Sequence, residues 1–362
     1  MTIFLVCILL AITLIYAVSR NASFGQKPTG ARLKRITSSI NFKNGSFQNP
    51  VPTQVMMPGN TFKILAKLFN SDPKRKPPGP IPVHKNTDWG IQPGLTYITW
   101  LGHSSYLLQV DGLNILVDPV FSTRVSPFNW IGSKRFPATE NWALDDFPRI
   151  DIVLISHDHY DHLDHQFIKQ LQYQHTQFYT FLGVGAHLES WGIPATQIHE
   201  LDLWESVDIA HGFRLDTCPS RHFSGRSFSR NNTLWGSFIL QTQHKKLFIG
   251  GDSGYSPIFK EMGDKYGSFD IAILECGQYS PYWPDIHMLP HETVQACKDL
   301  HANLLLPVHW GKYALGLHTW DEPAELVLAA AAEKDVHLVM PMQGQRFTVE
   351  NPPLVHTWWR EI

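Results

Sequence analysis

The sequence predicts an α+β fold carrying an N-terminal extension, and three features point there. From Leu95 onward, short runs of β-branched and aromatic residues are separated by turn residues, the texture of strands. Between these runs lie stretches with helical spacing, such as Glu292–Leu300 and Ala324–Ala332. Residues 20–92 are instead rich in Pro, Asn, Ser and Lys and show little alternation of the strand type. The boundaries read as an apolar leader over 1–19, the extension over 20–92, the main domain over 93–349 and a C-terminal tail over 350–362. A chain of 362 residues can bury one large core or two modest ones.

Thr2 to Val18 form an uncharged apolar run that ends at Ser19 and Arg20. As a helix it sits at the short end of the roughly 17–25 residues that cross a hydrocarbon core. No Lys or Arg precedes it, whereas Arg20, Lys27, Arg32, Lys34 and Arg35 follow. The positive-inside rule then predicts an uncleaved membrane anchor with the main domain on the cytoplasmic side. Ala17-Val18-Ser19 resembles a small-x-small cleavage site, so the alternative is a signal peptide and an exported product.

Within the extension, Thr61–Phe69 predicts a short helix with Asn60 as N-cap and Pro73 as its stop. Its apolar residues Phe62, Leu65 and Phe69, with Ile64 and Leu68, either pack on the main domain or, with Met56 and Met57 alongside, meet a lipid surface. The main domain opens with strands over Leu95–Leu101 and Tyr106–Val110, and Asp111-Gly112 turns the chain into Leu113–Val117. Later apolar runs are Ile152–Ile155, Leu247–Ile249, Ile271–Leu274 and Leu304–Val308.

Thirty basic against 32 acidic side chains give no field for gripping a polyanion, which sets nucleic acid aside as a partner. Cys7, Cys218, Cys276 and Cys297 show no C-x-x-C pairing, so they read as thiols without a disulfide or thiolate-metal role. The excess that matters is 19 histidines, because imidazole is the commonest side-chain metal ligand.

Four candidate ligands crowd into His157-Asp158-His159-Tyr160-Asp161-His162, directly after the run Ile152–Ile155 and Ser156. In a tight loop after a buried strand, His157, His159, Asp161 and His162 can point at one small volume from different backbone directions, and two metals can share it. Further ligands should stand at other strand ends. His222 follows Phe213–Thr217 and a turn, Asp252 follows Leu247–Ile249 through Gly250-Gly251, and His309 follows Leu304–Val308. Neutral imidazoles and carboxylates suit two Zn²⁺, and Mn²⁺ or Fe²⁺ would also accept them.

This ordered set resembles the binuclear site of the metallo-β-lactamase superfamily, which implies an αββα sandwich. The resemblance places one metal on His157, His159 and His222, a second on Asp161, His162 and His309, and Asp252 between them. Asp252 stands where true β-lactamases commonly have cysteine, which points away from β-lactams. His159, where the flavodiiron branch has glutamate, points away from redox chemistry.

A closer likeness covers most of the chain beyond the leader. Thr99-Trp100-Leu101-Gly102-His103, Asp118-Pro119-Val120-Phe121-Ser122, Gly132-Ser133-Lys134-Arg135-Phe136, His309-Trp310-Gly311 and Phe47-Gln48-Asn49-Pro50 resemble segments of the N-acylphosphatidylethanolamine-hydrolysing phospholipase D family. Bacterial lactonases acting on sugar phosphates share the layout. Ile286-His287-Met288-Leu289-Pro290 is similar to the family segment that sets a histidine beside the substrate phosphate, although Ile286 stands where mammalian members have glutamine.

The resemblance implies hydrolysis of a membrane phospholipid to phosphatidic acid and an N-acylethanolamine, and a possible homodimer. Two metals roughly 3.5–4 Å apart can clamp the attacking and leaving oxygens of an in-line displacement. Asp161 would orient the attacking water, Asp252 would bridge, and His287 would bind or protonate on the substrate side. His103 and Asp118 read as groups behind the ligands, since a ligating histidine usually donates its second N–H to a carboxylate or carbonyl.

Lys134, Arg135, Arg221, Arg226 and Lys312 are candidate phosphate contacts. Phe121, Phe128, Trp130, Tyr279, Tyr282 and Trp283 are candidates for an acyl groove. A lactonase or soluble phosphodiesterase acting on a small polar substrate is the rival enzyme, and a non-catalytic, membrane-tethered regulatory protein is the rival from another class.

Overall fold

The alternating runs become thirteen strands in two sheets of a computed structural model that describes residues 21–59, 63–64, 66–67, 72–86, 88–226 and 229–362. They are β1 Thr96–Trp100, β2 Tyr106–Val110, β3 Leu113–Val117, β4 Ile152–Ile155, β5 Gln177–Phe181, β6 Ile198–Leu201, β7 Ser206–Asp208, β8 Arg214–Cys218, β9 Ser237–Gln241, β10 Lys246–Ile249, β11 Ile271–Glu275, β12 Leu305–Val308 and β13 Arg346–Thr348. The first sheet runs β6-β5-β4-β3-β2-β1-β13, and the second runs β7-β8-β9-β10-β11-β12. Asp111 and Gly112, with φ of 45° and 86°, make the two-residue turn of the β2–β3 hairpin, in which Val110 pairs with Leu113.

Side-chain alternation sorts the layers. Leu108, Ile115, Val117, Ile152 and Leu154 of the first sheet share a core with Leu215, Ile239, Leu247, Ile249 and Ile271 of the second. The Phe181 and Phe238 rings, 4.9 Å apart, join the two sheets. Leu107, Leu116, Val153 and Ile155 point the other way and pack on α2 (His165–Gln170) and α3 (Gly185–Ser190). Outside the second sheet lie α4 (Ile258–Tyr266), α5 (Pro290–Asp299) and α6 (Glu322–Lys334). The result is a helix–sheet–sheet–helix sandwich, an α+β fold as the sequence predicts.

Parallel pairing of β3 with β4, of β10 with β11 and of β11 with β12 aligns the carboxyl ends of these strands. The loops leaving them carry Asp118, His157 to His162, Asp252 and His309. Residues at such strand ends can converge across a sandwich although they lie far apart in sequence.

The extension wraps the sandwich. Its helix α1 (Gly30–Ser38) is tied through Arg32 to Glu189 and Glu200, and Phe47, from a two-stranded turn over Phe42–Phe47, is fully buried. Of the helix expected over Thr61–Phe69, Lys63, Ile64, Ala66 and Lys67 are helical and Ile64 is buried, while the rest lies outside the described residues. The leader also lies outside them, and among the described residues no helix is long and apolar enough to cross a membrane. The C-terminal segment is anchored, since Trp358 and Trp359 are buried and the Trp358 ring stacks 5.5 Å from Trp310. Cys218, Cys276 and Cys297 are free, buried thiols.

Candidate metal centre

Each strand end delivers its side chain to one buried centre. His157, His159 and His222 bring their ring nitrogens together, with His157 Nε2 and His222 Nε2 lying 2.9 and 3.2 Å from His159 Nδ1. Asp252 stands among four imidazoles: its Oδ2 is 3.1 Å from His162 Nε2, 3.9 Å from His157 Nε2 and 3.8 Å from His222 Nε2, and its Oδ1 is 3.2 Å from His309 Nδ1. Asp161 Oδ2 lies 3.6 Å from His162 Nε2. The seven residues picked out by order and strand-end placement therefore meet in one place.

Supporting groups fix these rings. Asp118 accepts from His162 Nδ1 at 2.8 Å and from the Ser156 backbone and hydroxyl. His103 Nε2 is 2.9 Å from Asp161 Oδ2. His222 Nδ1 donates to the Ile286 carbonyl at 2.9 Å, which aims its Nε2 at the centre. Both candidates for groups behind the ligands, His103 and Asp118, thus sit against the residues they were expected to orient.

The electrostatics suit a cation. Burial, reinforced by the neighbouring imidazoles, pushes His157, His222 and His309 well below the ordinary histidine value, leaving neutral rings with lone pairs to offer. Burial opposes ionisation of Asp161, but His162 and His103 overcome it and hold this carboxyl well below the usual range. Nε2 of His162 and of His309 are buried without a hydrogen-bond partner among the described residues. A buried polar atom left so is costly, and metal ions held among these N and O donors would satisfy both.

A model of the β-lactamase superfamily domain matches residues 113–310, which contain all seven residues. The chain belongs to the metallo-β-lactamase superfamily.

As a member of it, this chain is a metal-dependent hydrolase with a His/Asp cluster suited to metal. Among relatives, an uncharacterized protein of Mycobacterium bovis is 39% identical over 89% of this chain and 88% of its own length. The N-acyl-phosphatidylethanolamine-hydrolyzing phospholipase D 1 of Caenorhabditis elegans is 30% identical over 79% of this chain and 86% of its own. The mitochondrial enzyme of the same name from Saccharomyces cerevisiae is 34% identical over 63% of this chain and 50% of its own. A solved metallo hydrolase from the archaeon Ignicoccus hospitalis, 18% identical with a TM-score of 0.54, covers 70% of this chain and 98% of its own and shares the fold.

The superfamily cluster opens into a cleft of about 220 Å³ lined by Val55, Met56, Phe223, Arg230, Trp283, Ile286 and Leu315. His287 also lines it, with Nδ1 held 2.9 Å from Glu275 Oε2. Several candidates for the substrate side lie elsewhere, and each has a structural reason. Arg226 is buried and donates to the carbonyls of Ser23, Asp158 and Leu163. Lys312 is buried and donates to the carbonyls of Leu101 and Val120. Arg221 pairs with Asp285 and holds Pro52 of the extension, while Arg135 donates to the Phe121 carbonyl. Lys134 sits on a two-stranded turn and does not line the cleft.

Of the six aromatic candidates only Trp283 lines the cleft. Phe121 packs on Phe147 and Phe167, Tyr279 bonds Glu322, Phe128 stacks by Trp130, and Tyr282 lies under Lys67.

Sequence reasoning missed four groups. Glu275 is the residue just after the run Ile271–Leu274, so the strand-end signal used for the other ligands applied to it too. Burial raises its carboxyl well above the usual range, against the N–H bonds from Ser253 and Met288. Ser104 contacts His309 Nδ1 at 2.8 Å. Asn49 brackets His222, accepting from its N–H at 3.1 Å and donating to its carbonyl at 2.6 Å. Arg230 stacks on Phe223, and nothing in the local sequence distinguishes it from a solvated cation.

Proposed function

We propose that this hydrolase is a phospholipase D-type phosphodiesterase that cleaves N-acylphosphatidylethanolamine to phosphatidic acid and an N-acylethanolamine. His157, His159 and His222 would hold one metal ion and Asp161, His162 and His309 another, with Asp252 offering its carboxylate among them. The mixed N and O donors favour zinc. The leader is its membrane anchor and the catalytic domain faces the cytoplasm. The observation that carries this reading is the pairing of the buried cluster with a cleft whose lip is apolar and whose charged wall residue outside the cluster is Arg230. The names of the worm and yeast relatives support the same substrate.

When bound, the metal ions supply an activated water and draw charge from the phosphoryl oxygens. Asp161, steadied by His103, orients the attacking water for in-line displacement. His287, with Nδ1 committed to Glu275, turns its other nitrogen toward the cleft, where it contacts the phosphate or passes a proton to the leaving oxygen. Arg230 meets the charge the diester keeps, while Met56, Phe223, Trp283 and Leu315 accept its apolar portion.

Incubating the purified, metal-loaded protein with a panel of phospholipids and reading products by mass tests this. Release of N-acylethanolamine is the expected result. Turnover confined to water-soluble esters would replace it with the lactonase or soluble phosphodiesterase reading, and no turnover of any ester would leave the regulatory one.

A further inference from the structure

The segment Arg124 to Arg135 (RVSPFNWIGSKR) leaves the body as a two-stranded turn in which Arg124 pairs with Lys134. At its tip Trp130 is 75% exposed and Ile131, beside it, is 51% exposed. Holding two adjacent large apolar side chains in water forgoes the stabilisation that burying either would bring. This tip is built and not frayed. Trp130 packs 5.5 Å from Phe128, Phe128 meets Phe24 edge-on at 6.0 Å, and Arg124 Nη1 donates to the Gly132 carbonyl at 2.5 Å.

Three observations identify what covers it. Asn21 donates to the Pro127 carbonyl at 3.0 Å, and Asn21 lies only three residues beyond Val18, the last residue of the apolar leader. Asn21, the first described residue after the leader, is therefore held at this turn. Arg124, Lys134 and Arg135 surround the tip, and no acidic residue occurs between Phe121 and Thr139. Ser133 Oγ, at the base of the turn, donates to the Ala314 carbonyl at 3.0 Å, and the next residue, Leu315, lines the cleft, so the turn is anchored one residue from the cleft wall. Tryptophan with flanking cations is the composition that settles at a bilayer surface, the indole at headgroup level and each Lys or Arg drawn to anionic lipid.

We infer that the Trp130–Ile131 turn is a lipid-docking element, which seats the cleft mouth on an anionic phospholipid surface beside the point where the leader enters it. This rests on the membrane-lipid reading above. The leader alone would tether the enzyme without orienting it, whereas a second contact beside the cleft fixes the mouth against the headgroups.

The test uses the full chain with vesicles of phosphatidylcholine and phosphatidylserine. Brominated acyl chains in the vesicles should quench a component of tryptophan emission that disappears in Trp130→Phe. Trp130→Ser with Ile131→Ser should lower turnover of a vesicle-borne diester about tenfold while leaving turnover of a short-chain monomeric diester unchanged. Leu354→Ser, at a 95% exposed apolar site elsewhere, should alter neither rate. Unchanged quenching in Trp130→Phe overturns the inference. So does a double variant with wild-type vesicle turnover, or one that changes only the oligomeric state in sedimentation, which would make the turn a subunit contact. Should wild type turn over no diester at all, the substrate reading fails while the quenching result still decides the turn.

Discussion

Asn49 ties the extension to the metal centre, and removing its side chain should loosen both. Its amide makes two hydrogen bonds to the backbone of His222 and accepts a third from Trp235 Nε1 at 3.3 Å. Trp235 keeps a second acceptor, the Ser220 carbonyl, but His222 is 1% exposed and its N–H has no second acceptor among the described residues. One lost bond at about 1 kcal/mol, and a second whose loss strands a buried donor at about 1–3 kcal/mol, put Asn49→Ala at about 2–4 kcal/mol of lost stability.

Because His222 Nε2 meets His159 and Asp252 at the centre, the same change should weaken metal affinity about 10–100-fold, as loss of a ligand's supporting contact does. Urea unfolding of the metal-free protein measures the first, and competition with a chromophoric chelator measures the second. Asn49→Asp sharpens the case, since a carboxylate oxygen would then face the His222 carbonyl where an N–H now donates at 2.6 Å. Its defect should ease as pH falls and the carboxyl regains a proton to donate. An Asn49→Ala protein with wild-type unfolding midpoint and wild-type metal affinity would refute the reasoning.

Asp252→Asn should cut metal content, read by elemental analysis, and lower kcat by about 10²-fold or more, because an amide has one acceptor oxygen where the carboxylate offers two among four imidazoles. Because burial favours the protonated Glu275 carboxyl, Glu275→Gln keeps both the acceptor for the Ser253 and Met288 N–H groups and a donor toward His287 Nδ1, so kcat should stay within a few-fold of wild type, whereas Glu275→Leu should lower it about 10–100-fold in steady-state kinetics with KM little changed. Asp158 accepts from the Gly225 N–H at 2.7 Å and lies 3.2 Å from His187 Nε2; although burial works against its charge, His187 brings the carboxyl down to about 2. Stability from this ionised group is present above pH about 4 and is lost as pH falls through about 2, a change of about 2 kcal/mol. Asp158→Asn should flatten that limb in denaturant titrations across this window.

The cluster was legible in sequence because its signals are local. Ligand types crowd into His157 to His162, and His222, Asp252 and His309 each follow an apolar run, so strand ends could be read without knowing which strands are neighbours. The Asp111-Gly112 turn was legible for the same reason, since left-handed backbone at both positions is a property of those residues. Cations and aromatics carry no such local mark. Arg226 and Lys312 look like phosphate contacts one-dimensionally, yet both spend their protons on buried carbonyls, and Arg230, which reaches the cleft, looks like any surface arginine. Burial of a long side chain depends on what packs over it, and that is supplied by segments up to about two hundred residues away, as when Leu101 covers Lys312.

By itself, the sequence determined the donor set, its order and the strands that present it, because these follow from residue chemistry and short-range periodicity. Only the tertiary structure decided that Glu275 backs His287, that Asn49 of the extension brackets His222, and that the base of the Trp130 turn is tied to Ala314, one residue from the cleft wall. Those are meetings between distant segments, and the packing of two sheets against each other, with the extension closed around them, is what brings them into contact.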